Sequence, residues 1–271
     1  MPSFGFLQKL FLPVLRILGM SVPPNTDEFP QNVSVVDWGR VLVERYTSSN
    51  LKSPENSARM RRLQVLRIHQ YKELESPGHE YLVAEIAVPE SEKRYIRLDR
   101  SAEDLDPEES SSAKMAISNG SSQSLLAISS NPAASDMVKT IAGWPSETCI
   151  GKLDCENLPE PITLLDFALA AEVVHNDSEK YKLLSRQCYW YADTVSAVLE
   201  TYFPQIKKIK IKIQYTKNGE DERHDKKSGK FMKIHVHKRE QVDVDKIVEN
   251  FRERKATVTA LVCFSDLRNV F

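Results

Sequence analysis

One cysteine of this chain, Cys188, stands at the start of a predicted helix, where a nucleophile would be expected. Apolar residues follow it in steps of three and four, the spacing of one helix face: Tyr191, Ala192, Val195, Val198, Leu199 and Tyr202. A thiol in the first turn lies near the positive end of the helix dipole and near backbone N–H groups, and both favour the thiolate. A small buried cysteine at the start of a core helix has the same pattern, so both interpretations remain open.

A cysteine nucleophile needs a base, and histidine is the usual one. The chain has six histidines: His69, His79, His175, His224, His235 and His237. His79 is the preferred candidate because it opens a strand directly after a Pro-Gly turn, at a sheet edge that can face a helix N-terminus. His69, at the end of a strand-like run, is an alternative. His235 and His237 stand two residues apart on one strand face, a spacing that can hold a metal. No third ligand stands out, so no metal or other cofactor is predicted.

The elements that must position His79 and Cys188 are a hairpin and two helices. Residues 79–88 form the clearest strand pattern and end at Pro89, and residues 94–100 alternate strongly after a short charged turn. This combination predicts an antiparallel hairpin. Residues 162–174 predict a helix with Thr163 as its cap, and the Cys188 helix comes after it.

This order of elements resembles the permuted papain-like thiol enzymes, which include the NlpC-related and lecithin:retinol acyltransferase-like families. The similar segments are His79-Glu80-Tyr81 and Gln187-Cys188-Tyr189-Trp190-Tyr191-Ala192. They are also similar to a motif of predicted proteins from mushroom-forming fungi, which pair a His-Glu-Tyr strand with an Asn-Cys-Tyr-Trp-Phe-Ala helix. The resemblance spans residues 61–202, interrupted by a serine-rich stretch. It implies Cys188 as nucleophile, His79 as general base, and an oxyanion site of backbone N–H groups at the helix start, beside Gln187 and Tyr189.

The chain departs from this pattern at two positions. Gln187 stands where asparagine is usual, and its side chain is longer by one methylene. No further histidine follows on the second hairpin strand, where these enzymes carry an orienting polar residue. Asp99, which shares a strand face with Arg97, is the candidate third catalytic residue. A solvated strand residue is the alternative interpretation of Asp99.

Composition and charge exclude several classes of partner. The 271 residues carry a formal net charge of −1, so no overall attraction to nucleic acid or membrane is implied, and no nucleic-acid partner is expected. The four cysteines are scattered without zinc spacing or a disulfide framework. Few, scattered cysteines are typical of proteins in a reducing compartment, and a cytoplasmic location is therefore predicted.

Three regions are predicted along the chain. Residues 1–32 comprise an apolar segment, residues 4–18, and a proline-rich linker. The apolar segment is too short and too interrupted by charge to span a bilayer. It is expected either to lie on a membrane surface as a peripheral contact or to pack on the protein. Residues 33–205 form the core, with a disordered serine-rich insertion at about 101–135, and residues 206–271 form a charged C-terminal extension.

Together these observations predict an α+β fold of the permuted papain-like kind, with a small antiparallel sheet packed on two or three helices. The predicted function is a thiol-dependent hydrolase or acyltransferase that acts on an amide, ester or thioester of an acyl-type or peptide substrate. The alternative is a non-catalytic interaction module of the same fold. It would contact a membrane surface or a protein partner through residues 4–18 and the lysine-rich residues 206–217.

Overall fold

The computed structural model describes part of the chain in ten stretches. They are residues 28–47, 54–73, 79–102, 134–178, 188–211, 215–217, 220–222, 230–231, 234–235 and 241–268. The predicted apolar segment at 4–18, Gln187 and residues 103–133 of the predicted insertion lie outside the described residues.

The described residues include five helices and eleven strands. The helices are α1 (Val35–Thr47), α2 (Pro54–Arg61), α3 (Leu164–Asp177), α4 (Cys188–Tyr202) and α5 (Gln241–Arg268). The strands are β1 (Val33–Ser34), β2 (Gln64–Lys72), β3 (Glu80–Ala87), β4 (Arg94–Ala102), β5 (Ala134–Ile141), β6 (Thr148–Asp154), β7 (Lys207–Lys210), β8 (Tyr215–Lys217), β9 (Glu220–Glu222), β10 (Lys230–Phe231) and β11 (Ile234–His235).

The main sheet is larger than the sequence predicts. Seven antiparallel strands lie in the order β1-β5-β4-β3-β2-β6-β7, and β8–β9 and β10–β11 form separate pairs. The prediction of a small sheet on two or three helices is therefore wrong in size, although the α+β class is confirmed. The predicted insertion 101–135 overlaps both neighbouring strands, since β4 extends two residues into it and β5 begins at its last two residues. Strand β6 has a glycine, Gly151, at its centre, which weakens a strand pattern.

The predicted hairpin is confirmed as β3–β4, with Leu82 opposite Leu98. Thr163 caps α3 as predicted, because its hydroxyl accepts from the Asp166 N–H while the Asp166 carboxylate accepts from the Thr163 N–H. This reciprocal arrangement satisfies two N–H groups that a helix start leaves unpaired.

Helices α1, α3 and α4 lie on one face of the sheet and build the main core with it. Helix α3 is buried almost all round because it contacts α1, α4 and α5. Helix α5 buries Val244, Ile247 and Phe251. The predicted C-terminal extension at 206–271 thus includes two core elements, since β7 pairs with β6 and α5 packs on the helices. None of the helices in the described stretches combines the length and apolar character needed to cross a bilayer.

The opposite face of the sheet carries a smaller group of side chains, which we term the outer aromatic cluster. Its members are Tyr71, Tyr81 and Val83, with Tyr95, Ile141, Trp144 and Cys149 packed against them. Both faces of β3 are therefore covered, which explains why nearly all of its residues are buried. Burial on both faces holds β3 in place, and with it the residue that precedes it, His79.

Candidate functional site

Three residues from separate elements meet at one end of the hairpin. His79 directly precedes β3, Asp99 lies in the second half of β4, and Cys188 is the first residue of α4. The hairpin register places Asp99 opposite Tyr81, two residues from His79. Because α4 packs against both β3 and β4, its first turn reaches the same place. The fold therefore brings together the three residues that the sequence analysis singled out.

Hydrogen bonds connect Asp99 with His79, and Cys188 with the residue that follows His79. The His79 Nε2–H donates to Asp99 Oδ1 at 2.7 Å, and the Cys188 thiol lies close enough to the ring to affect its protonation. The backbone N–H of Glu80 donates to Cys188 Sγ at 3.5 Å. Cys188 is only 8 % exposed, whereas the His79 side chain is 25 % exposed.

Electrostatics favour an ionised pair between His79 and Asp99. Burial of the His79 ring opposes protonation, but hydrogen bonds to Asp99 and Cys188 outweigh it and raise the pKa of His79 to about 10. Burial also disfavours the Asp99 carboxylate, yet hydrogen bonds from His79 and Arg97 lower the pKa of Asp99 to about 2. At neutral pH an imidazolium therefore lies beside the sulfur, which is the arrangement that activates a cysteine nucleophile.

Arg97 binds Asp99 directly and is itself packed on an aromatic ring. Arg97 donates from Nε to Oδ2 at 2.6 Å and from Nη2 to Oδ1 at 2.9 Å. Its guanidinium carbon lies 3.5 Å from the centroid of the Tyr81 ring, and the Tyr81 and His79 rings stack with centroids 6.0 Å apart. Strand alternation indicated that Arg97 and Asp99 share a face, but it gave no reason to connect Tyr81 with either.

A buried ion pair on the helix-covered face lies next to the site, and the sequence analysis missed it. Arg100 donates to both Asp136 oxygens, at 2.6 and 2.5 Å, and both side chains are 0 % exposed. Arg100 also donates to the Ser178 carbonyl oxygen at 2.9 Å and lies 4.7 Å from the centroid of the Tyr191 ring, near the start of α4. No feature of the sequence separates Arg100 from a solvated strand residue.

Of the other residues predicted from the sequence, one lies next to Cys188, one lies outside the described residues, and two histidines make contacts of their own. Tyr189 is buried in the first turn of α4, next to Cys188. Gln187 lies outside the described residues. His69 stacks on Trp144, with ring centroids 4.0 Å apart, and burial lowers its pKa. His175 Nδ1 lies 2.7 Å from Asp136 Oδ2. Among the described residues, no group of three or more His, Cys, Asp and Glu side chains is placed to hold a metal.

The His79–Asp99 pair predicts a specific pH dependence of stability. The raised pKa of His79 stabilises the fold fully below its unfolded value of 6.5, and this stabilisation is lost as the pH rises through about 10. The lowered pKa of Asp99 stabilises the fold above 3.8, and this part is lost as the pH falls through about 2. The free energy of unfolding, measured by urea denaturation, is therefore expected to fall between pH 6.5 and 10 in the wild type but much less in His79→Gln.

His69→Gln is the control for this experiment. The pKa of His69 is lowered, chiefly by burial, so its titration affects stability below pH 6.5 rather than above it. The slope between pH 6.5 and 10 should survive in this variant. An identical alkaline slope in His79→Gln and the wild type would contradict the assignment of that slope to His79.

No family model matches the chain, and neither the curated proteins nor the solved structures include a significant match to it.

Proposed function

We propose that the protein is a thiol-dependent hydrolase or acyltransferase, of the permuted papain-like kind, with Cys188 as its nucleophile. The observation that carries the proposal is the meeting of three groups: the Asp99 carboxylate binds the His79 imidazole at 2.7 Å, and the Cys188 sulfur accepts from the backbone N–H of the next residue, Glu80, at 3.5 Å. Each group matches one role in nucleophilic catalysis: a sulfur that attacks, an imidazole that transfers a proton, and a carboxylate that orients the imidazole.

The first half of the reaction forms an acyl-enzyme. The Cys188 thiolate attacks the carbonyl carbon of an amide, ester or thioester, and the new S–C bond gives a tetrahedral oxyanion. Backbone N–H groups in the first turn of α4, including that of Tyr189, are the donors that would stabilise this oxyanion. As the intermediate collapses, the bond to the leaving group breaks, and the His79 imidazolium supplies the proton that the leaving group takes away.

The second half releases the acyl group. His79, now neutral, takes a proton from water or from an acceptor alcohol, amine or thiol, whose oxygen, nitrogen or sulfur attacks the thioester carbonyl. Collapse of the second tetrahedral intermediate breaks the S–C bond, and the departing thiolate again lies beside an imidazolium. Water as acceptor makes the protein a hydrolase, and another acceptor makes it an acyltransferase. Asp99 remains ionised throughout, since its pKa is about 2.

Comparison with the other buried thiol supports a functional role for Cys188. Burial raises the pKa of Cys155 to about 12, and its sulfur contacts a backbone carbonyl oxygen, that of Leu153, at 4.0 Å. Cys155 thus has the surroundings of an inert core thiol. Cys188 instead lies beside an imidazole that the half-buried Asp99 carboxylate holds. A cysteine that only fills the core has no need of this ionised pair, whose burial costs free energy.

Trapping of the acyl-enzyme tests the proposal directly. Wild-type protein would be mixed with p-nitrophenyl acetate and, separately, with an acetyl thioester, and then quenched in acid and weighed by mass spectrometry. The expected result is rapid addition of one acetyl group, located on Cys188 by peptide mapping. Cys188→Ala should lose the adduct, whereas Cys149→Ala should retain it, because Cys149 lies in the outer aromatic cluster.

Equal acetylation of the wild type and Cys188→Ala would overturn the proposal. So would a wild-type protein that both reagents leave unmodified, a result that would favour the non-catalytic interaction module. Acetylation of the lysine-rich surface would appear equally in all three proteins and is thereby separated from reaction at Cys188.

A further inference from the structure

We propose that Arg97 is a positioning residue that keeps Asp99 turned toward His79 and thereby sets the pH range over which the His79 imidazole stays protonated. This inference rests on the proposed function and concerns the regulation of the same site. Arg97 touches neither the sulfur nor the imidazole in the structure, so its action passes through Asp99.

Arg97 fixes both oxygens of the Asp99 carboxylate. Its Nη2–H donates to Oδ1, the oxygen that also accepts from His79, and its Nε–H donates to Oδ2. Two parallel donors bring the guanidinium and the carboxylate into one plane. The carboxylate therefore cannot rotate away from His79 without breaking a bond to Arg97.

Arg97 is itself held in place. Its guanidinium covers the Tyr81 ring at 3.5 Å, and its Nη2 donates to the Glu73 carboxylate at 3.3 Å. Tyr81 is fully buried and stacks between Tyr71, at 5.6 Å, and His79, at 6.0 Å. One ring thus supports both the arginine that orients the carboxylate and the imidazole that the carboxylate binds.

A second cation, Lys139, competes with His79 for the Asp99 carboxylate. The Lys139 Nζ lies 3.6 Å from Asp99 Oδ2, and this lysine is 39 % exposed. In the absence of Arg97, Lys139 and water would draw Asp99 outward, away from His79. The remaining ionised groups around the pair are Glu73, Glu147, which interacts with Tyr81, and Glu80, whose carboxylate binds Lys72 at 2.7 Å.

Charge and position have opposite effects on His79, so their contributions can be separated. Loss of a positive charge near the ring would by itself raise the pKa of His79, since a like charge disfavours protonation. Loss of the hydrogen bond from His79 to Asp99 would lower it. If Arg97 positions Asp99, the second effect dominates when Arg97 is replaced.

The experiment compares Arg97→Gln, Arg97→Lys and the wild type. The titration of His79 would be followed through its imidazole NMR signals, assigned with His79→Gln, and the pH dependence of Cys188 alkylation by iodoacetamide would be measured in parallel. We expect the His79 transition to move down by about one pH unit or more in Arg97→Gln. Arg97→Lys should show an intermediate transition, because lysine keeps the charge but cannot span both oxygens.

Arg67→Gln is the matched control. Arg67 donates from Nε to Glu85 at 2.6 Å on the same sheet, and its loss should leave the His79 transition unchanged. An upward shift in Arg97→Gln, or an Arg97→Lys protein identical to the wild type, would show that Arg97 acts only as a charge and would overturn the inference. Neither readout requires turnover, so an inactive wild type would count against the proposed function alone.

Discussion

Replacement of His79 by glutamine is expected to slow acylation of Cys188 by about 10⁶-fold at neutral pH, as loss of the histidine of a catalytic triad does elsewhere. Glutamine keeps a polar side chain but can neither ionise nor transfer a proton. The sulfur then lacks the imidazolium that favours its thiolate, and the leaving group lacks its acid. Single-turnover release of p-nitrophenol from p-nitrophenyl acetate measures this rate without requiring knowledge of the natural substrate.

Two further variants make this prediction specific. Asp99→Asn should slow the same step less, by about 10⁴-fold, because His79 remains but loses its orienting carboxylate. His69→Gln is the control, since His69 lies on the neighbouring strand β2 and stacks on Trp144 instead of contacting the sulfur. A rate in His69→Gln as low as that in His79→Gln would show that the loss reflects general disturbance of the sheet.

Replacement of Arg100 by methionine is expected to reduce the free energy of unfolding by about 3–5 kcal/mol, because removal of one partner leaves a buried charge uncompensated. Asp136 would keep its contact with His175 Nδ1 at 2.7 Å but would lose both bonds from the guanidinium. Urea denaturation, followed by far-UV circular dichroism, gives the change. Methionine has nearly the length of the arginine stem, so the effect reports the ion pair more than the packing.

The double replacement Arg100→Met with Asp136→Asn tests the cause of that loss. Removing the second charge should restore part of the stability, because the uncompensated carboxylate is then absent. Arg252→Met is the control: Arg252 binds Glu249 at 2.9 Å, and the two side chains are 52 % and 58 % exposed. An exposed pair contributes about 0–1 kcal/mol. Equal losses in Arg100→Met and Arg252→Met would contradict the role assigned to burial.

The local parts of this fold follow from the sequence, because each depends on neighbours along the chain. Alternation and a short turn predict the β3–β4 hairpin, and Thr163 predicts the start of α3; both are confirmed. The seven-stranded sheet does not follow, because β6 pairs with β2 and β7 across long intervals of sequence. The alternation of residues 206–215 predicts a strand or an extended arm there, but no local pattern shows which strand it pairs with.

The candidate site, too, follows from the sequence only in part. Strand alternation and the helix start identify His79 and Cys188 as candidates, but their contact depends on how α4 packs on the hairpin. The surroundings of Asp99 depend on Arg97 and Tyr81, whose packing follows from the outer aromatic cluster. The sequence does not predict the Arg100–Asp136 pair, because nothing in the strand pattern around Arg100 shows that helices cover this face of the sheet.

The strand order affects when the residues of the candidate site can meet during synthesis and folding. His79 and Asp99 precede residue 103, whereas Cys188 follows residue 133, and strands from the two portions alternate in the sheet as β1-β5-β4 and β2-β6. During synthesis His79 and Asp99 emerge first, and Cys188 can meet them only after the chain has been made as far as α4. A chain that has not yet folded therefore carries an ordinary cysteine, and the reactivity proposed for Cys188 would begin only with folding.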